Sequence, residues 1–369
     1  MDRLIALRRT TEGPRPLAAH DASVHVVTAP PPVLARHLVF VTGKGGVGKT
    51  TVAAALGLAA AARGRPAVVC ELGGQAHLAR AFERTPPAGG TELRLTPRLW
   101  SLSIDPDAAL MEWIAKNLGR PAAALLGHSQ ALAYLVAAAP GARELVTLGK
   151  AWDLTRVGAA APAERLVIVD GPSSGHAVGL LQAPATFAEL APVGPVGRQA
   201  GEMRDFLADP SRSAIVLVAT PEEMAVAEAL ELATAIDDLT GRPPDAVVVD
   251  QVLPDRFDEG ELRRIDRALG SSTDPCLRTA GLLARRASRR AREQSAQVAE
   301  LRERLAAPLV ELPFLFVPAL GPDELRALAA RLAAALHFGA GAGAARKQSP
   351  QAAPLDVEGA LRAPPRSSP

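Results

Sequence analysis

The stretch from Phe40 to Gly57, FVTGKGGVGKTTVAAALG, constrains the fold more than any other part of the chain. A β-branched apolar run enters a glycine-rich loop and leaves it as an alanine-rich pattern, and residues 43–50 match G-x-x-x-x-G-K-[ST]. Such a loop, here Gly43, Lys44, Gly45, Gly46, Val47 and Gly48, turns successive backbone N–H groups toward a polyphosphate above a helix N-terminus. Lys49 then supplies charge between the β- and γ-phosphates, and the Thr50 hydroxyl suits the shell of a Mg²⁺ ion. Thr51, whose hydroxyl and N–H open the helix, is placed for the α-phosphate. ATP and Mg²⁺ are the ligands this reading expects.

Further runs of the same kind follow: PAVVCEL, LWSLSID, RLVIVDG, SAIVLVAT, DAVVVDQVL and PLVELP. Several are almost wholly apolar rather than alternating, as in strands covered on both faces of a parallel sheet. Helical patterns separate them, so the expected class is α/β, a doubly wound, mainly parallel sheet of about seven to eight strands. The pattern PEEMAVAEALELATAIDDL is expected to start behind Thr220 as N-cap, with Pro221 in the first turn and Glu222 and Glu223 on the positive end of the dipole. Residues 106–164 carry helical pattern without a strand and predict an inserted helical subdomain. The proline-bearing piece within 183–212 reads as irregular and as a possible contributor to that subdomain. Residues 1–36 read as a flexible leader and 338–369 as a disordered tail, leaving 37–337 as the folded unit.

Composition narrows the class further. Hydrophobic residues make up 48% of 369 positions but aromatics only 3%, which disfavours an aromatic-rich β-sandwich. A net charge of +2 implies neither nucleic acid nor an acidic membrane by itself, so any such partner must be argued locally. Cys70 and Cys276 are isolated, without C-x-x-C spacing, which fits a reducing compartment and argues against a disulfide framework or cysteine-ligated metal. With no long apolar span and no signal-peptide pattern, a cytoplasmic protein without a transmembrane segment is expected.

Lys44 raises a separate question, because one loop lysine serves the phosphates and Lys44 sits on the outer shoulder, poorly placed to bend back. The form KGGVGKT resembles the deviant phosphate loop of the partition, nitrogenase-iron-protein and arsenite-pump or tail-anchor-targeting ATPases. In those families the first lysine reaches the partner's nucleotide, which implies that Lys44 acts in trans in a homodimer or in a heterodimer with a paralogous ATPase. After RLVIVD, Asp170 suits the outer shell of Mg²⁺, and GPSSGHAVGLL resembles the switch D-T-A-P-T-G-H of the arsenite-pump/tail-anchor family, with Asp170, Gly175 and His176 in register. VVVDQVLP resembles that family's adenine-meeting V-V-N-x-V-L-P, with Asp250 in place of Asn. The resemblance runs from about residue 38 to 335 and implies a nucleotide-gated ATPase acting on a client.

Two alternatives share parts of these signals. A partition or positioning ATPase has the same loop, and Arg285, Arg286, Arg289 and Arg290 lie at helical spacing as a basic face, although a solvated surface explains them as well and no specific nucleic acid is expected. GPSSG also satisfies G-x-S-x-G, which would make Ser173 a hydrolase nucleophile, yet only His176 and His337 follow it and the phosphate loop is left without a purpose.

The departures from the family pattern bear on activity. Aligning CELGGQAHLARAF through its final Leu, Ala and Phe puts Gly73 where the family has its water-orienting Asp. Glu71 stands two residues earlier, and such an offset moves a strand-end group by about 6 Å or more. Slow hydrolysis by the chain alone is expected, with Lys44, Lys49, Asp170 and Glu71 as the candidate catalytic set. Asp250 loses one of the two contacts an Asn amide makes to adenine, since a carboxylate only accepts. Four methionines and two isolated cysteines provide neither a methionine-rich client groove, nor a zinc pair, nor an arsenite-binding cysteine cluster. The variant second strand resembles that of one subunit of the paired ATPases found in actinobacteria.

Overall fold

The computed structural model describes residues 32–87, 90–119, 121, 141–156 and 165–336. The expected leader up to residue 31, the tail, and the central part of the expected helical insert, residues 122–140 and 157–164, lie outside them.

One eight-stranded sheet organises the chain in the order β3-β4-β2-β5-β1-β6-β7-β8. In chain order these are β1 Leu38–Gly43, β2 Ala67–Leu72, β3 Leu93–Thr96, β4 Leu99–Ile104, β5 Leu166–Ser173, β6 Ser213–Ala219, β7 Ala246–Val252 and β8 Leu309–Pro313. All pairings are parallel except that of β3 with β4. β3 is a short edge strand that the sequence patterns do not mark.

Helices cover both faces, which is why the central strands carry apolar residues at nearly every position. On one face Val39 and Val41 of β1 pack with α1 (Lys49–Ala62) and with α10 (Pro322–Leu336). On the other, Leu38 and Phe40 meet α4 (Ala142–Arg156), α5 (Ser174–Leu190), α6 (Gly194–Ala208), α7 (Glu223–Thr240) and the far end of α9 (Pro275–Arg304). The short α2 (His77–Ala81), α3 (Pro106–Leu118) and α8 (Glu259–Ser271) complete the described helices. From β1 the chain passes by α1 to β2 on one side, while β5 is followed by β6 on the other side of β1. The C-terminal ends of β1 and β5 therefore border the crevice where an open α/β sheet takes its ligand.

Three local expectations are corrected. Residues 32–36 do not belong to a leader: Val33 and Leu34 are buried, and Arg36 donates to the Ser213 carbonyl at 2.6 Å and pairs with Asp245 at 3.1 Å. Residues 183–212 are not irregular, because Pro184 is accommodated inside α5 and a proline in the first turn of α6 forfeits no intrahelical bond. Helix α7 starts at Glu223 with Glu222 as N-cap, and the Thr220 carbonyl instead accepts from the Glu222 N–H at 2.8 Å. Among the described residues, no helix is long and apolar enough to cross a membrane.

Candidate functional site

The loop between β1 and α1 is fixed from below and open above. Gly48 is the left-handed N-cap of α1 at φ 91°, and a Cβ there would lie 2.1 Å from Asp250 Oδ2, so only glycine fits. Val47 is buried under the loop, whereas a Cβ at Gly45 or Gly46 would meet open space. The exposed side thus leaves room for a phosphate chain over the first N–H groups of α1. Thr51 lies in that first helical turn, half-buried.

Beneath the loop, Thr50 Oγ1 donates to Asp170 Oδ2 at 2.6 Å, joining α1 to the last turn-ward residues of β5. Asp170 Oδ1 is buried and has no hydrogen-bond partner among the described residues. Burial raises the Asp170 pKa, opposed by the Thr50 hydrogen bond and by Lys49. An unsatisfied carboxylate oxygen next to a threonine hydroxyl is a donor set that fits Mg²⁺, whose shell is all oxygen. Among the described residues no group of three or more His, Cys, Asp or Glu converges on a metal position.

The two lysines diverge. Lys49 Nζ donates to the Lys44 carbonyl at 2.9 Å, arching back over its own loop, and burial lowers its pKa against the pull of Asp170. Lys44 Nζ turns outward to Glu228 Oε1 on α7 at 2.5 Å. The two side chains of that pair are 31% and 33% exposed, so the pair contributes at most about 1 kcal/mol. No sequence pattern pointed to Glu228, which lies 184 residues away.

At the tip of β2, Glu71 is buried and in register with Asp170 on β5. Its Oε1 accepts the His77 N–H at 2.5 Å and the Leu78 N–H at 3.2 Å, so Glu71 holds the start of α2. The chain reaches that geometry through Gly73 and Gly74, both left-handed at φ 80° and 72°. A Cβ at Gly73 would meet nothing within 4 Å. Burial pushes the Glu71 carboxyl up to about 7, and burial lifts Asp250, which accepts from the Gln251 N–H at 2.9 Å, to about 6.

Raised acid pKa values mean that the folded chain binds more protons than the unfolded one, so the stability these groups contribute falls as pH climbs from about 4.5 toward 7. The urea midpoint of Glu71→Gln is expected to exceed that of wild type at about pH 8 and to converge with it below about pH 4, where the Glu71 carboxyl is neutral in the folded and the unfolded chain. A constant difference at all pH values would show that Glu71 is not buried in its charged form.

The remaining sequence candidates lie further out. His176 is exposed in the first turn of α5, and Ser173 ends β5 as the N-cap of that helix without a side-chain capping bond. Arg285, Arg289 and Arg290 each pair with a carboxylate, Asp266, Glu293 and Glu222 respectively.

Comparison with known proteins is consistent with this geometry. The family model described as anion-transporting ATPase matches residues 36–193 and 193–268, more than half of the chain. ATPase BagA of Mycobacterium tuberculosis is 32% identical over 238 residues, covering 62% of this chain and 68% of that protein. A putative arsenical pump-driving ATPase of Halobacterium salinarum is 25% identical over 313 residues, covering 80% of this chain and 44% of that protein. ATPase get3 of Sclerotinia sclerotiorum is 31% identical over 175 residues, covering 46% and 48%.

Proposed function

Because the chain belongs to the anion-transporting ATPase family, we propose that it is a MgATP-binding subunit of a cytoplasmic dimer that lends Lys44 to its partner's nucleotide. In this reading Gly43 to Thr51 wrap the triphosphate, Lys49 leaves the Lys44 carbonyl for the β- and γ-phosphates, and Thr50 with Asp170 holds Mg²⁺. The ion, when bound, neutralises charge that develops on the phosphoryl oxygens. The chain's own residues orient the nucleotide and exclude water, and His176, exposed in the first turn of α5, joins them on the nucleotide.

The observation that carries the reading is the β2 tip. Gly73 has no side chain to orient a water, and Glu71 is engaged with the amides of His77 and Leu78. Hydrolysis by this subunit alone is therefore slow, and a paralogue with an aspartate at the equivalent position does most of the turnover. Purified chain is expected to bind ATP but hydrolyse it slowly, with turnover restored on adding the paralogue. Vigorous hydrolysis by the lone chain, abolished by Lys49→Ala, contradicts this. Gly73→Asp is expected to raise the lone chain's rate by about tenfold, within the range of a positioned base. The gain is limited because Asp tolerates a left-handed backbone only moderately.

Coupling to a client follows from the path of α5. The helix starts beside Asp170 and ends at a cavity of about 760 Å³ that it lines with Phe187, together with Trp113, Leu145, Trp152 and Met203. Rearrangement of the Asp170 segment on nucleotide binding moves one wall of that cavity, which we assign to the client.

A further inference from the structure

The hairpin of α8 and α9 combines three features that the ATPase reading does not use. It stands away from the body: α8 has no fully buried residue, and the buried residues of α9 begin only at Ser288. Its two helices are held together where Gly281 meets Leu269 and Ile265. Toward its tip, Leu277, Leu282 and Leu283 are 49%, 55% and 59% exposed.

The charge around these leucines is one-sided. From Pro275 to Arg292 the chain has six arginines and no carboxylate, and Asp274 just before them is engaged in accepting the Cys276 N–H. Arg285, Arg290 and Arg292 are held to the body or to α8 by Asp266, Glu222 and Asp255. Arg278 and Arg286 have no carboxylate partner among the described residues, and they flank Leu282 one turn before and one turn after it.

The arrangement discriminates between kinds of partner. A partner helix reads a single apolar stripe, but Leu277, Leu282 and Leu283 project roughly 100–140° apart around the α9 axis at 3.6 residues per turn. A nucleic-acid backbone would be served by the arginines alone and gives exposed leucines no apolar surface. A bilayer interface surrounds an inserted tip, accepts apolar side chains on several azimuths, and lets arginine stems lie along it while their heads reach anionic groups.

We propose that the tip of the α8–α9 hairpin docks onto an acidic lipid surface, with Leu277, Leu282 and Leu283 at the headgroup–acyl boundary and Arg278 and Arg286 on lipid phosphates. Nearer the body, Arg290 of α9 pairs with Glu222 at the start of α7, the helix that carries Glu228, the partner of Lys44.

Co-sedimentation of the full chain with vesicles tests the proposal. Binding is expected to vesicles of phosphatidylcholine mixed with phosphatidylglycerol and not to phosphatidylcholine alone. Arg278→Glu with Arg286→Glu is expected to weaken it by about thirtyfold or more, and Leu282→Gln with Leu283→Gln by about tenfold. All four positions are exposed, so these variants keep the fold and ATP binding. Cys276 at the tip is exposed while Cys70 is buried, so an environment-sensitive dye can be placed on Cys276 alone. Its emission should shift to the blue on the acidic vesicles. The proposal is overturned by equal binding to both vesicle types, by no binding, or by an unshifted dye. It is also overturned if the leucine variants bind like wild type and a soluble polyanion such as duplex DNA competes fully, which would reassign the face to polyanions in general.

Discussion

Replacing Lys44 by alanine is expected to lower the ATPase rate of the assembled pair by about a thousandfold, the lower end of what a trans-acting cation supplies to phosphoryl transfer, while the chain's own ATP affinity changes by less than about twofold. The asymmetry follows from where the side chain sits. Lys44 leaves the loop for Glu228 on α7, and only its carbonyl, the acceptor for Lys49, borders the space above the loop. A weak, one-third-exposed ion pair holds it there, so a partner's γ-phosphate has little to displace. Lys49→Ala should give the opposite pattern, with ATP affinity of this chain lost and turnover at the partner's site largely kept. If instead Lys44→Ala weakens ATP binding to the isolated chain as strongly as Lys49→Ala does, Lys44 serves its own nucleotide and the trans role falls.

Asp170→Asn should separate stability from function. The folded chain pays to bury a carboxylate with one unpartnered oxygen, and an amide keeps an acceptor for the Thr50 hydroxyl without the charge. The nucleotide-free variant is therefore expected to melt at or above the wild-type temperature. Turnover at the chain's own site, already slow, should nevertheless fall by about a hundredfold or more, because an Asn oxygen is a poor substitute in a Mg²⁺ shell. Thermal shifts with ATP and with MgATP read this directly. At a hundred times Kd, wild type gains about 2.7 kcal/mol from MgATP, and the variant should gain no more from MgATP than from ATP alone. An undiminished MgATP shift would mean that Asp170 does not hold the ion.

Most of the sheet was legible because β1, β2, β4, β5, β6, β7 and β8 are strongly apolar runs bounded by turn residues. β3 was not, since the four residues of a short antiparallel edge strand, Leu93–Thr96, carry too little pattern to stand out. Proline misled in one place: within α5 and at the start of α6 it reads as a breaker, but packing against neighbouring helices and a first-turn position remove most of its cost. At the site, the loop and Asp170 were visible because local spacing fixes them. The partner of Lys44 was invisible because Glu228 approaches only once α7 packs on the face of the folded sheet that contains β1. Glu71 illustrates a different limit. Its distance from the expected catalytic position could be read along the strand, but its engagement with α2 depends on two successive left-handed glycines that turn the chain back over it.

On the proposed function, Lys44 acts on a nucleotide other than its own. A structure of this chain assembled with the proposed partner ATPase and a non-hydrolysable ATP analogue shows which nucleotide it reaches. Lys44 Nζ is expected to be released from Glu228 and to lie within about 3 Å of a γ-phosphate oxygen bound by the other subunit. Lys44 still on Glu228, or turned onto the nucleotide of its own loop, would contradict it.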